Sequence, residues 1–202
     1  MTEGEPAGAG QVAGLTKGRL EALTDGIFAF AMTLLVTTLD FPKADLAVPF
    51  TLHLPDFTNY AIAFVVLAGF WMAHHMLFHY IRSIDRTLLW MNVVSLLFVA
   101  LVPFSTDIAG DYTSLPLTSI FFEVNLLIIG LSLFSIWRYA TTERRLVDPA
   151  LGDETVALEG RRCLVIPAVS AIGILVALLG SDWSTLVYVA TPALSWYVGR
   201  TA

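Results

Sequence analysis

Over 202 residues the chain carries 56% hydrophobic and 14% charged side chains, with a mean hydropathy of +0.74. That is more apolar surface than a soluble domain of this length can bury, so the composition excludes a soluble globular protein and marks an integral membrane one. A single cysteine, Cys163, excludes an internal disulfide and a thiolate metal cluster, and a net charge of −6 with few, scattered basic residues argues against nucleic acid as a partner.

Residues 1–16, rich in Gly, Ala and Glu, have neither a basic n-region nor an apolar h-region and are expected to form a disordered cytoplasmic tail. Apolar stretches of about 20 residues then predict six spans, at 20–39, 58–80, 87–108, 117–139, 162–181 and 184–199, within one transmembrane domain over 17–202. The fold class expected is therefore an all-α membrane protein with six transmembrane helices per subunit. The longest connection, 141–160 ("TTERRLVDPALGDETVALEG"), is charged and reads as a surface loop or short helix.

Basic residues set the orientation. Lys17, Arg19, Arg82, Arg86, Arg138, Arg144, Arg145, Arg161, Arg162 and Arg200 all fall at one end of the predicted bundle, and only Lys43 falls at the other. The positive-inside rule then puts both termini in the cytoplasm. Trp71, Trp90, Trp137 and Trp183 sit toward the predicted interfaces, as an aromatic belt would.

The first span, "RLEALTDGIFAFAMTLLVTTLD", holds 14 uncharged residues from Gly26 to Leu39, a rise of about 21 Å against a hydrocarbon core of about 30 Å. Asp25 therefore lies at or below the membrane boundary and needs shielding by protein. At about 100° per residue, Gly26, Phe30, Thr33 and Thr37 share one stripe with Ile27 and Leu34 on its shoulder, while Asp25 points elsewhere, toward a neighbouring helix. His74 or His75 of the second span is at the right depth to meet it. Thr33 and Thr37 have a plainer reading too, since threonines in lipid-embedded helices bond back to their own carbonyls.

Further intramembrane polar groups follow in order: His74, His75 and His79, then Asn92, then Glu123 and Asn125. They divide into a layer near the arginine-rich end and a layer near the other end. His75 and His79 have the i, i+4 spacing of a metal pair, but with no cysteine and no carboxylate beside them on that helix, hydrogen bonding between helices is the expectation. Glu123 reads either as a proton or cation site or as a buried acid serving packing. No Gly-x-Ser-x-Gly elbow appears, so no enzyme is expected. The carbonyl filter sequence TVGYG and an internal repeat are also absent.

The stretch "RLEALTDGIFAFAMTLLV" resembles the Arg-x-x-x-Phe-Ser-Asp signature opening the first helix of prokaryotic relatives of transmembrane protein 175, the lysosomal potassium channel. "FWMAHHMLFHYIRSIDRTLLWMNVVSLLFVALVPF" is similar to that family's second and third helices, so the likeness covers about residues 19–110. The resemblance implies a homotetrameric, potassium-preferring channel of the cell membrane, with four first helices around a central pore. It implies no cofactor and no metal beyond the permeating potassium. Carried over residue by residue, the constriction falls on Phe30 and the threonine layer on Thr33, with Leu34, Thr37 and Ile27 as further lining. A supporting network behind the pore falls on Arg19, Thr24, Asp25, His75 and Asn92. The chain departs from the pattern at Leu23 and Thr24, where the signature has Phe and Ser, and at Phe30 and Thr37, where aliphatic residues are usual. Two rival readings are a secondary transporter or proton pathway through Glu123 and the histidines, and a non-conducting membrane scaffold.

Overall fold

The structure, a computed structural model, describes residues 16–39, 54–111, 115–179 and 184–200. The expected tail, apart from residue 16, together with Asp40, Lys43, Asp45, Asp182 and Trp183, lies outside the described residues. Seven α-helices follow in order: α1 (Lys17–Leu34, continued by a 3₁₀ turn over Leu35–Thr38), α2 (Leu54–Tyr80), α3 (Arg86–Asp111), α4 (Pro116–Thr141), α5 (Asp153–Cys163), α6 (Val165–Leu178) and α7 (Thr191–Arg200). Among the described residues, five stretches are long and apolar enough to cross a membrane: Lys17–Thr38, Asp56–Tyr80, Arg86–Asp111, Pro116–Arg144 and Asp153–Leu178.

Local chemistry sets the helix ends. Asp85 caps α3, its Oδ1 accepting the Leu88 N–H at 2.8 Å. Pro116 opens α4, where its missing N–H costs nothing. In α5 Asp153 and Glu154 sit in the first turn and Arg161 and Arg162 in the last, each sign at the end its helix dipole favours.

Two prolines account for where the predicted spans are broken. The expected fifth span, 162–181, begins inside α5, and α6 starts afresh at Val165 because Pro167 has no N–H for the carbonyl of Cys163. The expected sixth span, 184–199, is not one helix: Ser184–Ala190 is 3₁₀ and only Thr191–Arg200 is α. Pro192 cannot donate to the carbonyl of Tyr188, which instead accepts the Thr191 hydroxyl at 2.5 Å. The segment nonetheless runs back to the arginine-rich end, where a Cβ added to Gly199 would stand 2.5 Å from the Arg162 guanidinium.

The core is centred on α4, with α3 on one side and α6 on the other. Leu126, Ile129, Leu133, Ile136 and Trp137 of α4 are fully enclosed. Trp137, expected at the interface, is a core residue whose indole donates to the Val156 carbonyl at 3.0 Å, anchoring α5 to α4. Gly130 lets α6 approach, since a Cβ there would lie 2.6 Å from the Pro167 ring. At the same end, the connection after α4 is tied back to the α2–α3 turn by an Ile81–Val147 bridge and by the Arg82 N–H on the Leu146 carbonyl at 2.8 Å. The Tyr139 hydroxyl adds a bond to Asp85 at 2.5 Å.

A candidate pore face on the first helix

Helix α1 has two unlike faces. Leu20, Thr24, Phe28 and Ala31, continued by Leu35 of the 3₁₀ turn, recur every three or four residues and are buried against the bundle. The opposite stripe, Gly26, Phe30, Thr33 and Thr37, is exposed on the subunit, Phe30 by 66% of its surface. Ile27 and Leu34 are half-buried at the margin. Arg19 and Leu23 lie on the exposed side of the first turns, and nothing approaches within 4 Å of a Cβ placed on Gly26.

The threonine hydroxyls on this face are already committed. Thr33 donates to the Ala29 carbonyl at 2.8 Å and Thr37 to the Leu34 carbonyl at 2.7 Å. A hydroxyl whose proton is turned into its own helix presents only oxygen lone pairs outward. Such a face accepts hydrogen bonds or cations and donates nothing.

Behind it runs a chain of buried polar groups. Asn92 of α3 donates through Nδ2 to the Thr24 hydroxyl at 3.0 Å, and its Oδ1 lies 2.9 Å from Nε2 of His74. Thr24, His74 and Asn92 are all buried. The histidine in this chain is His74 and not the expected His75. On α2 the buried positions Leu67, Phe70, His74 and Leu77 form the inward stripe, and one residue further turns the side chain about 100° away. His75 is accordingly exposed and stacks on Trp71, the ring centres 5.8 Å apart. Asp25 finds its partner in neither histidine: the Trp71 indole donates to its Oδ1 at 2.8 Å. Trp71 carried no polar signal beyond sharing the His75 face at i−4, which is the pattern that would have found it.

The second polar layer belongs to a different seam. Glu123 of α4 is fully buried, bonded by the Tyr188 hydroxyl, which also lies 2.8 Å from Ser170 of α6. A Cβ on Gly173 would fall 2.5 Å from the Glu123 carboxyl carbon, so the glycine is what admits the acid between α4 and α6. Asn125 donates to Ser105 of α3 at 3.2 Å. Tyr188, the group that meets Glu123, was hidden in an apolar run. Among the described residues no group of three His, Cys, Asp or Glu side chains is placed to hold a metal ion.

Comparison with known proteins bears on this arrangement. The family model for the endosomal/lysosomal potassium channel TMEM175 matches residues 19–103. A potassium channel of Streptomyces collinus is 31% identical over 140 residues, covering 65% of this chain and 68% of its own. Rat TMEM175, an endosomal/lysosomal proton channel, is 27% identical over 193 residues, and the match spans 86% of this chain but only 39% of that protein. The crystal structure of a lysosomal potassium-selective TMEM175 homologue from Chamaesiphon minutus superposes with a TM-score of 0.75 at 22% identity, over 92% of this chain and 97% of the other.

Proposed function

Because the chain belongs to the TMEM175 family, we propose that it is a potassium channel of the cell membrane, a homotetramer whose four α1 helices line a central pore. Both termini would face the cytoplasm, as the arginines gathered at one end favour. The family is one of ion channels, and the face asks for no catalytic group.

The observation that carries this reading is the composition of the open face of α1. A helix side turned to lipid is plainly apolar, as on α6, where Ile172, Leu175 and Leu178 are exposed. The α1 face instead combines the Phe30 ring with Gly26 and two threonine oxygens. Four such faces brought together would bury the phenylalanines against one another as a constriction and turn the Thr33 and Thr37 oxygens toward the axis. A cation crossing the ring sheds part of its water, and potassium, which holds its shell less tightly than sodium, loses less. The Thr33 oxygens then replace some of the lost ligands, and dewetting of the ring supplies a closed state. The chain Thr24–Asn92–His74 and the Trp71–Asp25 bond would hold α1 in register from behind. Glu123, enclosed by Tyr188, Ser170 and Gly173 on the far side of α3 from α1, favours a packing role for that acid over a coupled-transport site.

Potassium flux into liposomes under an imposed gradient tests the reading, with Phe30→Ala beside the native chain and both repeated with sodium. The native protein is expected to favour potassium, and the truncated one to pass more of both ions with less preference. Absence of flux from both forms, with incorporation verified, would overturn it.

A further inference from the structure

A cleft of about 320 Å³ opens between the last turns of α4 and the side of α5, bordered by Phe134, Trp137, Arg138, Val156, Arg161 and Leu164. Its charge is not spent within the protein. Four other arginines at this end are engaged: Arg82 with Asp148, Arg144 with Asp153, Arg162 with Glu159, and Arg145 with Glu143 and the Tyr139 ring. Asp153 also borders the cleft, but Arg144 holds its carboxylate. Arg138 and Arg161 are exposed and have no acidic partner among the described residues. The two guanidinium groups thus share one cleft whose acidic lining residue, Asp153, is paired with Arg144.

Beneath this rim the walls turn apolar in the direction of the membrane. Phe134 lies one helical turn, about 6 Å, further into the bundle than Arg138, and Leu164 leads from Arg161 into α6. Leu164 is partly open, at 39% exposure. The indole bond from Trp137 to Val156 and the close approach of Gly160 to the Trp137 ring keep α5 seated, so the cleft is built by the fold. A cationic rim at the level of the helix ends above an apolar floor matches one ligand chemistry, a phosphate diester carrying acyl chains.

We propose that this cleft binds an anionic phospholipid from the leaflet at the arginine-rich end, with Arg138 and Arg161 on the phosphate and the acyl chains leaving over Phe134 and Leu164. The site depends on α4 and α5 of one subunit and exists whether or not the bundle conducts.

Native mass spectrometry of the full-length protein in detergent, titrated with phosphatidylglycerol and separately with phosphatidylcholine, tests it. Phosphatidylglycerol should be retained in preference. The R138Q/R161Q variant should lower its apparent affinity roughly thirtyfold, from about fivefold for each basic residue near a charged headgroup. Arg86→Gln, which removes an arginine at the same end outside the cleft, should leave binding unchanged. Ala157→Trp, which fills the cleft without removing charge, should also expel the lipid and answers the question if the double variant does not fold. Equal retention of the two lipids, undiminished phosphatidylglycerol binding by both R138Q/R161Q and A157W, or displacement of the lipid by millimolar inorganic phosphate would overturn the assignment.

Discussion

Helices α1 and α4 are both long, apolar and decorated with polar groups, yet they are used in opposite ways. Of the most apolar stretch of α4, 50% is buried inside the subunit, against 28% for α1. On α4 the small and polar residues face inward and meet neighbours: Gly130 receives Pro167, one carboxylate oxygen of Glu123 meets Tyr188, and the Asn125 amide nitrogen meets Ser105, while Glu123 Oε1 and Asn125 Oδ1 are buried without a hydrogen bond among the described residues. On α1 Thr24 is matched by Asn92 and Asp25 by Trp71, whereas the stripe through Gly26, Phe30, Thr33 and Thr37 is exposed among the described residues. In lipid there is no hydrophobic drive between helices, so close packing and hydrogen bonds decide which faces meet. A face that has declined both inside the subunit is left open, as the proposed pore requires.

Glycine substitutions break the comparison most sharply. Gly130→Ala puts a methyl group 2.6 Å from the Pro167 ring, which is anchored in the backbone of α6 and cannot swing aside. It is expected to destabilise the subunit by about 1–3 kcal/mol, read as a lowered midpoint of thermal unfolding in detergent. Gly26→Ala meets nothing within 4 Å, and in the same measurement should be neutral or stabilising by about 0.5–1 kcal/mol through helix propensity.

A smaller effect is expected at Asn92, where a buried side chain holds α1 to α3. Asn92→Leu removes the group that bonds both Thr24 and His74 and leaves two buried polar atoms unanswered. The loss should be about 1–2 kcal/mol, again read by thermal unfolding, and potassium flux should fall with it if α1 depends on this brace. Thr33→Val sharpens the contrast from the other side. Its hydroxyl bonds only to its own helix, so stability should change by less than about 0.5 kcal/mol. The preference for potassium over sodium should nevertheless decline, because the outward lone pairs are gone.

Much of the architecture was legible in the sequence, because run length and the 3.6-residue period carry it. Helices α1 to α4 begin and end close to the first four apolar runs, and the open stripe of α1 follows from 100° steps between Gly26 and Thr37. What escaped depended on which side of a helix faces which neighbour. Depth alone made His74 and His75 equivalent, whereas a rotation of about 100° separates a buried bond to Asn92 from an exposed ring on Trp71. Trp137 was assigned to the interface by its position near a span end, although its indole reaches a backbone carbonyl in α5. The last predicted span was counted by composition, which is indifferent to the missing N–H of Pro192.

That proline-broken segment has a bearing on the lipid around the protein. Seven residues at the 3₁₀ rise of about 2.0 Å and ten at the α rise of about 1.5 Å bring Ser184–Arg200 to about 29 Å, nearly the full depth of a bilayer core of about 30 Å. The 26 residues of α3 reach about 39 Å and can answer a thicker membrane by standing more upright. Ser184–Arg200 has no such slack. On the six-span expectation, hydrophobic mismatch would fall on this segment first, and the Tyr188 bonds to Glu123 and Ser170 would carry it to the α4–α6 seam.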